Sequence, residues 1–431
     1  MSITILDGGL ATCIEKLFQR HLGNGSLWSA KILAQEPSVI TAVHEAFLAA
    51  GASIITTATY QASVDGFEKF LGLDRKSAID VIRRSRAAGV KNGRAQRNDS
   101  DVPGDIAAHA RRGLTKRLLF HYLLRLYRCA NMSITILDGG LATCIEKLFQ
   151  RHLGNGSLWS AKILAQEPSV ITAVHEAFLA AGASIITTAT YQASVDGFEK
   201  FLGLDRKSAI DVIRRSVLLA KTAKGNQGKT AEGSVGPYGA CLADGSEYTG
   251  SYLNDATITN EFLKAWHRPR IEALLSEGVD VLAVETLPGA REAEAIADLL
   301  KEFPGSKAWY SFSCRSGTQT SYGEDIGESV SRVVRVGGPQ VFAVGVNCCS
   351  PKNVTESILR IRVCVGPEIP VIVYPNSGEE FVPSTKTFCG SAFDIVELSE
   401  QWIAAGATLV GGCCRVYPDD IRRLSQKVKM L

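Results

Sequence analysis

Residues 1–85 recur without a single substitution at 132–216, from MSITILDGG through DVIRRS. Solenoid proteins stack units of about 20–45 residues that drift apart in sequence. An 85-residue perfect copy is therefore a repeated piece of chain, not a structural repeat. It points to a recent duplication or to an error in assembling the coding sequence. The second copy opens on Met132, one of only three Met in the chain, which fits a start of translation at that position.

The insert between the copies, 86–131, has a different character, with ten Lys or Arg against three Asp. The chain of 431 residues carries a formal +3; the insert contributes +7, the first copy is balanced, and residues 132–431 are left at −4. That balance gives no reason to expect a nucleic-acid partner. Leu114–Tyr127 reads either as a basic amphipathic helix able to touch a membrane surface or as part of a translated non-coding stretch or linker. With 45% apolar and 21% charged residues, disordered and collagen-like classes are excluded. No apolar run approaches the ~18 residues of a membrane span, and the first residues lack the regions of a secretory leader. Eleven Cys in so long a chain favour metal or catalytic use over a disulfide framework. The expectation is a cytoplasmic, monomeric protein without stable membrane association.

In 132–431, short apolar runs alternate with helical patterns. The runs are 134–138, 184–190, 230–235, 279–286, 308–314, 341–347, 371–374 and 408–412. Most are continuously apolar, as strands buried on both faces are. Gly182-Ala183, Gly278-Val279 and Gly406-Ala407 read as helix ends leading into strands. Eight strands alternating with helices predict a (β/α)8 TIM barrel. A doubly wound dinucleotide fold is the rival, but Asp138-Gly139-Gly140-Leu141-Ala142-Thr143 does not supply G-x-G-x-x-G. The second copy provides strands one and two and runs directly into strand three. The first copy then has no slot in the barrel, and its strands would be unpaired edges. The expected organisation is a redundant partial copy of the first two βα units (1–85), a basic linker (86–131) and a barrel (132–431).

Functional residues of such barrels lie where strands end. Cys348 follows strand six in VGVNCCSP, and Cys413 and Cys414 follow strand eight in LVGGCCRVYP. Three thiolates converging on one face would make a zinc site with an open fourth position. Structural Cys or a vicinal disulfide remain alternatives. No His lies beyond His267 to add a nitrogen ligand from this half. Adjacent strand residues point to opposite faces, so two neighbouring Cys share a metal only if the backbone distorts, a freedom expected from Gly411-Gly412. By the same alternation Cys349 is expected to face away from Cys348. Asp138 and Glu285 end strands one and four; they are ion-pair or capping groups, or they receive an amino-acid ammonium. Trp159, Tyr191, Tyr238, Tyr248 and Tyr252 sit near the loops of the first three strands, where aromatic faces suit a sulfonium cation or simply pack.

The blocks LDGGLAT, LWSAKIL, ITTATYQAS, GSVGPYGACLADGSEYTGSY, LAVETLP, VGVNCCSP and GGCCR together resemble the homocysteine S-methyltransferase family across nearly all of 132–431. The resemblance implies a zinc-dependent barrel that moves a methyl group from S-methylmethionine or S-adenosylmethionine to homocysteine, giving methionine. Cys348, Cys413 and Cys414 match the family's zinc ligands, acting as the catalytic set. Asp138 and Glu285 match acids near the homocysteine amino group, and Thr188 and Asn347 line that pocket. Trp159, Tyr191 and Tyr238 are the candidates for the methyl-donor side. Val416, Tyr417 and Cys349 depart from the family's usual residues without removing a ligand. Selenocysteine as acceptor, or a catalytically impaired duplicated product, are the alternatives. The first copy repeats Asp138 and Thr188 as Asp7 and Thr57 but carries no Cys motif.

Overall fold

The strands of 132–431 are β1 (Thr135–Ile136), β2 (Ile185–Thr187), β3 (Thr230–Val235), β4 (Leu282–Leu287), β5 (Ala308–Phe312), β6 (Val341–Asn347), β7 (Val371–Tyr374), β8 (Glu380–Val382), β9 (Thr387–Cys389) and β10 (Leu409–Val410). The computed structural model describes residues 34–35, 64–87, 134–151, 153, 158–226, 228–366, 368–382 and 387–430. Eight strands form one sheet in the order β1-β10-β7-β6-β5-β4-β3-β2, with every pairing parallel. The ends meet: Leu137 bridges Ile185 in parallel, and the Ser184 N–H donates to the Ile136 carbonyl at 2.8 Å. The sheet is thus the (β/α)8 barrel expected from the strand count. A two-stranded antiparallel hairpin, β8 with β9, interrupts the alternation after β7 and was not foreseen.

Period-two alternation divides each strand between two cores. Leu137, Ile185, Val281, Ala283, Trp309, Ala343, Ile372, Tyr374 and Leu409 fill the inside of the barrel. Their neighbours, such as Ile136, Ile186, Val284, Tyr310, Val344 and Val373, pack with the surrounding helices. The parity carries polar residues inward at the carboxyl ends of the strands, where Ser234, Glu285, Ser311, Asn347 and Tyr374 form the mouth. Gly182, Gly278 and Gly406, the expected helix-to-strand junctions, all take left-handed conformations with φ of 104°, 66° and 104°.

The chain divides into two compact units, Met1–Asn131 and Met132–Leu431. The described part of the first holds helices Val64–Leu71 and Arg75–Ala87, with Phe67 and Ala78 buried between them. Asp74 caps the second helix by accepting from the Ser77 N–H at 2.8 Å. The identical sequence in the second unit gives Val195–Leu202 and Arg206–Lys224, with Asp205 accepting from the Ser208 N–H at 2.9 Å. Local sequence therefore specifies this helix pair in both places. The copies part at the end: the second helix of the barrel runs on through buried Val217, Ala220 and Ala223, which the first copy lacks. The strands of the first copy, Asp7, Thr57 and the basic segment Leu114–Tyr127 lie outside the described residues. Among the described residues, no helix is long and apolar enough to cross a membrane.

Candidate active site

The loops after β6 and β10 bring three thiols together. The Sγ atoms of Cys348, Cys413 and Cys414 all lie within 4.8 Å of one another, with Cys348 and Cys414 at 3.9 Å. Thiolates about 2.3 Å from a tetrahedral metal stand about 3.8 Å apart, so this spacing fits such an ion. Cys348 and Cys414 are buried and Cys413 is partly exposed. Hydrogen bonding from Cys348 and Cys413 holds Cys414 well below the usual thiol range, while Cys413 is pushed up by its contacts with Cys348 and Cys414 and by burial. Three thiolates this close repel one another, and a cation between them would favour the charged form of all three. Cys349 turns into the outer core, where burial pushes it up to about 12, and Cys314 is buried in that same core.

The distortion that lets neighbouring Cys converge is not where the sequence placed it. Gly411 and Gly412 are not among the positive-φ residues; Cys348 and Arg415 are, at 48° and 62°. The two glycines serve close approach instead: a Cβ on Gly411 would meet Leu137 and the Asp138 carbonyl, and one on Gly412 would collide with Val416. Arg415 closes a turn in which the Val416 N–H reaches the Cys413 carbonyl at 3.1 Å. Its guanidinium grips Glu379 through both carboxylate oxygens, at 2.6 and 2.9 Å. The Cys413 N–H donates to the Pro375 carbonyl at 2.8 Å and the Ser377 N–H to the Cys414 carbonyl at 3.0 Å, which tie the turn to the segment after β7.

Asp138 and Glu285 are both buried and lie within electrostatic reach of each other. Asp138 accepts the Thr187 N–H at 2.7 Å and the Thr187 hydroxyl at 3.1 Å. Glu285 accepts the Ser234 hydroxyl. Burial pushes each carboxyl up to about 7, against those hydrogen bonds. Two such acids favour a cationic guest that restores their charge.

Asn347 and Thr188 act on backbone. Asn347 makes two hydrogen bonds to Thr286, the residue after Glu285, and the Thr188 hydroxyl accepts the Ser234 N–H at 2.9 Å and contacts Thr190 Oγ1 at 2.6 Å. The aromatic candidates separate. The Tyr191 hydroxyl is buried beside Glu247, Cys348 and Thr286 without a regular hydrogen bond. The Tyr238 ring packs edge-on against Tyr252, Phe262 and Trp266. Trp159 precedes helix Ser160–Gln166 with a φ of 39°.

Tyr248, one of the loop aromatics named from the sequence, and Glu247, which was not among the candidates, also bear on the thiols. The Tyr248 hydroxyl lies 3.8 Å from Cys348 Sγ, and its neighbour Glu247 is pushed up to about 7 by burial, with Cys348 and Asp244 adding like charge. The signal for Glu247 is the acid of ADGSEY, in the loop after strand three.

Behind these loops runs a buried polar network. Glu292 accepts His267 Nε2 at 2.8 Å, the Tyr238 N–H at 2.6 Å and the Tyr252 hydroxyl. His267 Nδ1 faces Arg270 Nη2 at 2.9 Å, and Arg270 donates to the Tyr191 carbonyl at 3.0 Å and the Gly236 carbonyl at 2.6 Å. Since Arg270 can only donate, the imidazole keeps its proton on Nε2 and passes it toward Glu292. The loops after β2 and β3 are thereby fixed from below.

Fold and site together define a (β/α)8 barrel with three thiols, able to hold a metal ion, gathered at the carboxyl ends of its strands. The chain belongs to the homocysteine S-methyltransferase family, whose profile matches residues 4–110 and 135–428. A homocysteine S-methyltransferase of Escherichia coli (strain K12) is 42% identical over 307 residues, covering 68% of this chain and 95% of that protein. A selenocysteine Se-methyltransferase of Brassica oleracea var. italica is 36% identical over 342 residues, covering 73% and 94%. Among solved structures, the metallated form of an Escherichia coli homocysteine methyltransferase matches with a TM-score of 0.60 and 40% identity, covering 69% of this chain and 97% of that one.

Proposed function

We propose that residues 132–431 transfer a methyl group from a sulfonium donor, S-methylmethionine or S-adenosylmethionine, to homocysteine in a zinc-dependent reaction that yields methionine. The observation that carries this reading is the convergence of three sulfurs within 4.8 Å at the barrel mouth. Family membership makes homocysteine the acceptor of choice. Cys348, Cys413 and Cys414 would hold the zinc. A bound zinc ion supplies the Lewis acidity that keeps a thiol, otherwise titrating near 8.5, in its nucleophilic form at neutral pH.

The chain's own residues bind and orient. Asp138 and Glu285 pair with the homocysteine ammonium, and Asn347 holds Glu285 in place through Thr286. Thr188 fixes the β2–β3 edge that presents Thr187 to Asp138. Tyr191 faces the donor side, with Trp159 and Tyr238 further out. The donor leaves as a neutral thioether, so no general acid is required, and the remaining task is in-line alignment of two sulfurs and a methyl carbon. The purified chain tests the reading: methionine formation from homocysteine with each donor, measured alongside zinc content. Absence of turnover with both donors in zinc-loaded protein overturns it. Selenocysteine is the second acceptor considered, on the strength of the Brassica oleracea relative, and competition between the two acceptors decides it.

A further inference from the structure

Most carboxylates around the barrel mouth are occupied. Asp138 is taken by Thr187, Glu285 by Ser234, Glu292 by three donors and Glu379 by Arg415. Glu247 is different: its Oε2 is buried and has no hydrogen-bond partner among the described residues. The residue is held firmly all the same. It sits in the short turn Ser246–Tyr248, and its carbonyl accepts the Ser313 hydroxyl at 2.9 Å. Tyr248, next in the chain, brings its hydroxyl to 3.8 Å from Cys348 Sγ, and Cys414 also feels the Glu247 charge. The charged neighbours acting on Glu247 are Cys348 and Asp244, both of its own sign. It does not join the three sulfurs as a metal ligand.

An ionised carboxylate in such a place is costly unless a positive group pairs with it. None of the described residues supplies one. The buried Tyr191 hydroxyl, which leans on Thr286 without a regular hydrogen bond, feels the Glu247 charge, so the carboxylate is the group here that lacks a partner. Aromatic rings at Tyr191 and Tyr248 suit an onium ion. On the sulfonium-to-thiolate reading given above, the structure assigns Glu247 as the counter-charge for the donor sulfonium, a specificity residue that selects a cationic methyl donor over its neutral product.

The transfer itself sets what this contact does. The thiolate sulfur forms a bond to the methyl carbon; the carbon–sulfonium bond breaks, and its electron pair stays on the leaving sulfur. A cation and an anion become two neutral thioethers. The positive charge that Glu247 faces therefore fades toward the transition state, so the contact favours the bound donor more than the transition state. Removing it raises the donor KM without lowering kcat, and product release is helped by the same loss of charge.

The test compares the full-length chain with Glu247→Gln and Glu247→Asp. Wild-type turnover is established first, since its absence would count against the methyl-transfer reading and not against this residue. Glu247→Gln is expected to raise the donor KM about tenfold to a hundredfold, the range of a lost charge-assisted contact. The homocysteine KM, zinc content and kcat stay within about twofold, and Glu247→Asp recovers part of the donor affinity. Inhibition by 2-amino-5-methylhexanoate, the uncharged carbon isostere of S-methylmethionine, should not change in Glu247→Gln. An unchanged donor KM overturns the proposal, as does an equal loss of donor and isostere, which would place the carboxylate on the donor ammonium. A variant that loses zinc or homocysteine affinity in parallel also overturns it, by showing a structural role.

Discussion

Asn347 and Thr286 hold each other by two hydrogen bonds, Thr286 N–H to Asn347 Oδ1 at 2.7 Å and Asn347 Nδ2 to Thr286 Oγ1 at 2.8 Å. Thr286 is a β-branched residue at a φ of 59°, where the pairing of β4 with β5 shifts register. Such a conformation is unfavourable without outside support. The amide supplies it and so aims the preceding Glu285 into the mouth. Asn347→Ala is expected to destabilise the protein by about 1–3 kcal/mol, the cost of stranding buried polar groups, and to weaken homocysteine binding more than donor binding. Asn347→Asp keeps the acceptor for the Thr286 N–H and should retain more of both. Denaturant unfolding and separate KM values for the two substrates check this.

The thiol set gives a sharper contrast. Cys348→Ala or Cys413→Ser should abolish zinc binding and activity together, because three sulfurs within 4.8 Å are the full ligand supply found here among the described residues. Cys349→Ser alters the neighbour that faces the outer core and should leave zinc content intact. Zinc analysis beside the activity assay reads both, and full activity in a zinc-free variant would sink the metal role.

These contrasts show which parts of the molecule were legible in the sequence. Cys348 and Cys349 were separable by strand parity alone, and the eight apolar runs marked all eight barrel strands. What stayed hidden depends on tertiary approach. The need for Gly412 comes from Val416 lying against it, and the positive φ of Arg415 comes from a turn locked by Glu379, in a segment next to the unforeseen β8–β9 hairpin. Glu247 escaped notice because its distinction is a missing partner, which no local pattern encodes.

Glu232 offers a test away from the mouth. It lies inside the barrel on β3 with Oε2 unpartnered, and burial pushes its carboxyl up to about 8 from an ordinary 4.5. A raised folded value means that the native state holds a proton the unfolded chain has released. Its contribution to stability is therefore present below about pH 4.5 and is lost as pH rises toward 8. One such proton gives a slope of up to about 1.4 kcal/mol per pH unit across that window. Glu232→Gln mimics the protonated form and should be more stable than the parent above pH 8, with a flatter profile below it. Melting temperatures measured across pH 5 to 9 would reveal this, and parallel curves for the two proteins would contradict it.

The Glu292–His267–Arg270 network predicts a cost that is large for one residue. Glu292→Ala strands three donors, His267 Nε2, the Tyr238 N–H and the Tyr252 hydroxyl, and each buried donor left without a partner costs about 1–3 kcal/mol. Arg270→Lys keeps the charge but cannot reach the Tyr191 and Gly236 carbonyls with one fork. It should loosen the loops after β2 and β3 while leaving the thiol set able to bind zinc. The expected signature is faster amide exchange in 190–193 and 236–248 with unchanged zinc content.

The final prediction concerns the repeat. Met132–Leu431 forms a compact unit by itself and includes every strand of the closed barrel. The first copy cannot take over as a like-for-like replacement, because its sequence departs after Ser85 and has Arg86, Gly89 and Asn92 where the barrel helix has buried Val217, Ala220 and Ala223. Substituting the first copy for the second would break that helix between Ser216 and Val217 and place a long insertion there. Residues 132–431 expressed alone should therefore fold, bind zinc and match the full chain in kcat and both KM values. Residues 1–131 alone should bind no zinc and show no activity, since the Cys motifs lie beyond them. A 132–431 fragment that fails to fold, or whose activity depends on adding 1–131, would show that the first copy contributes to the working barrel.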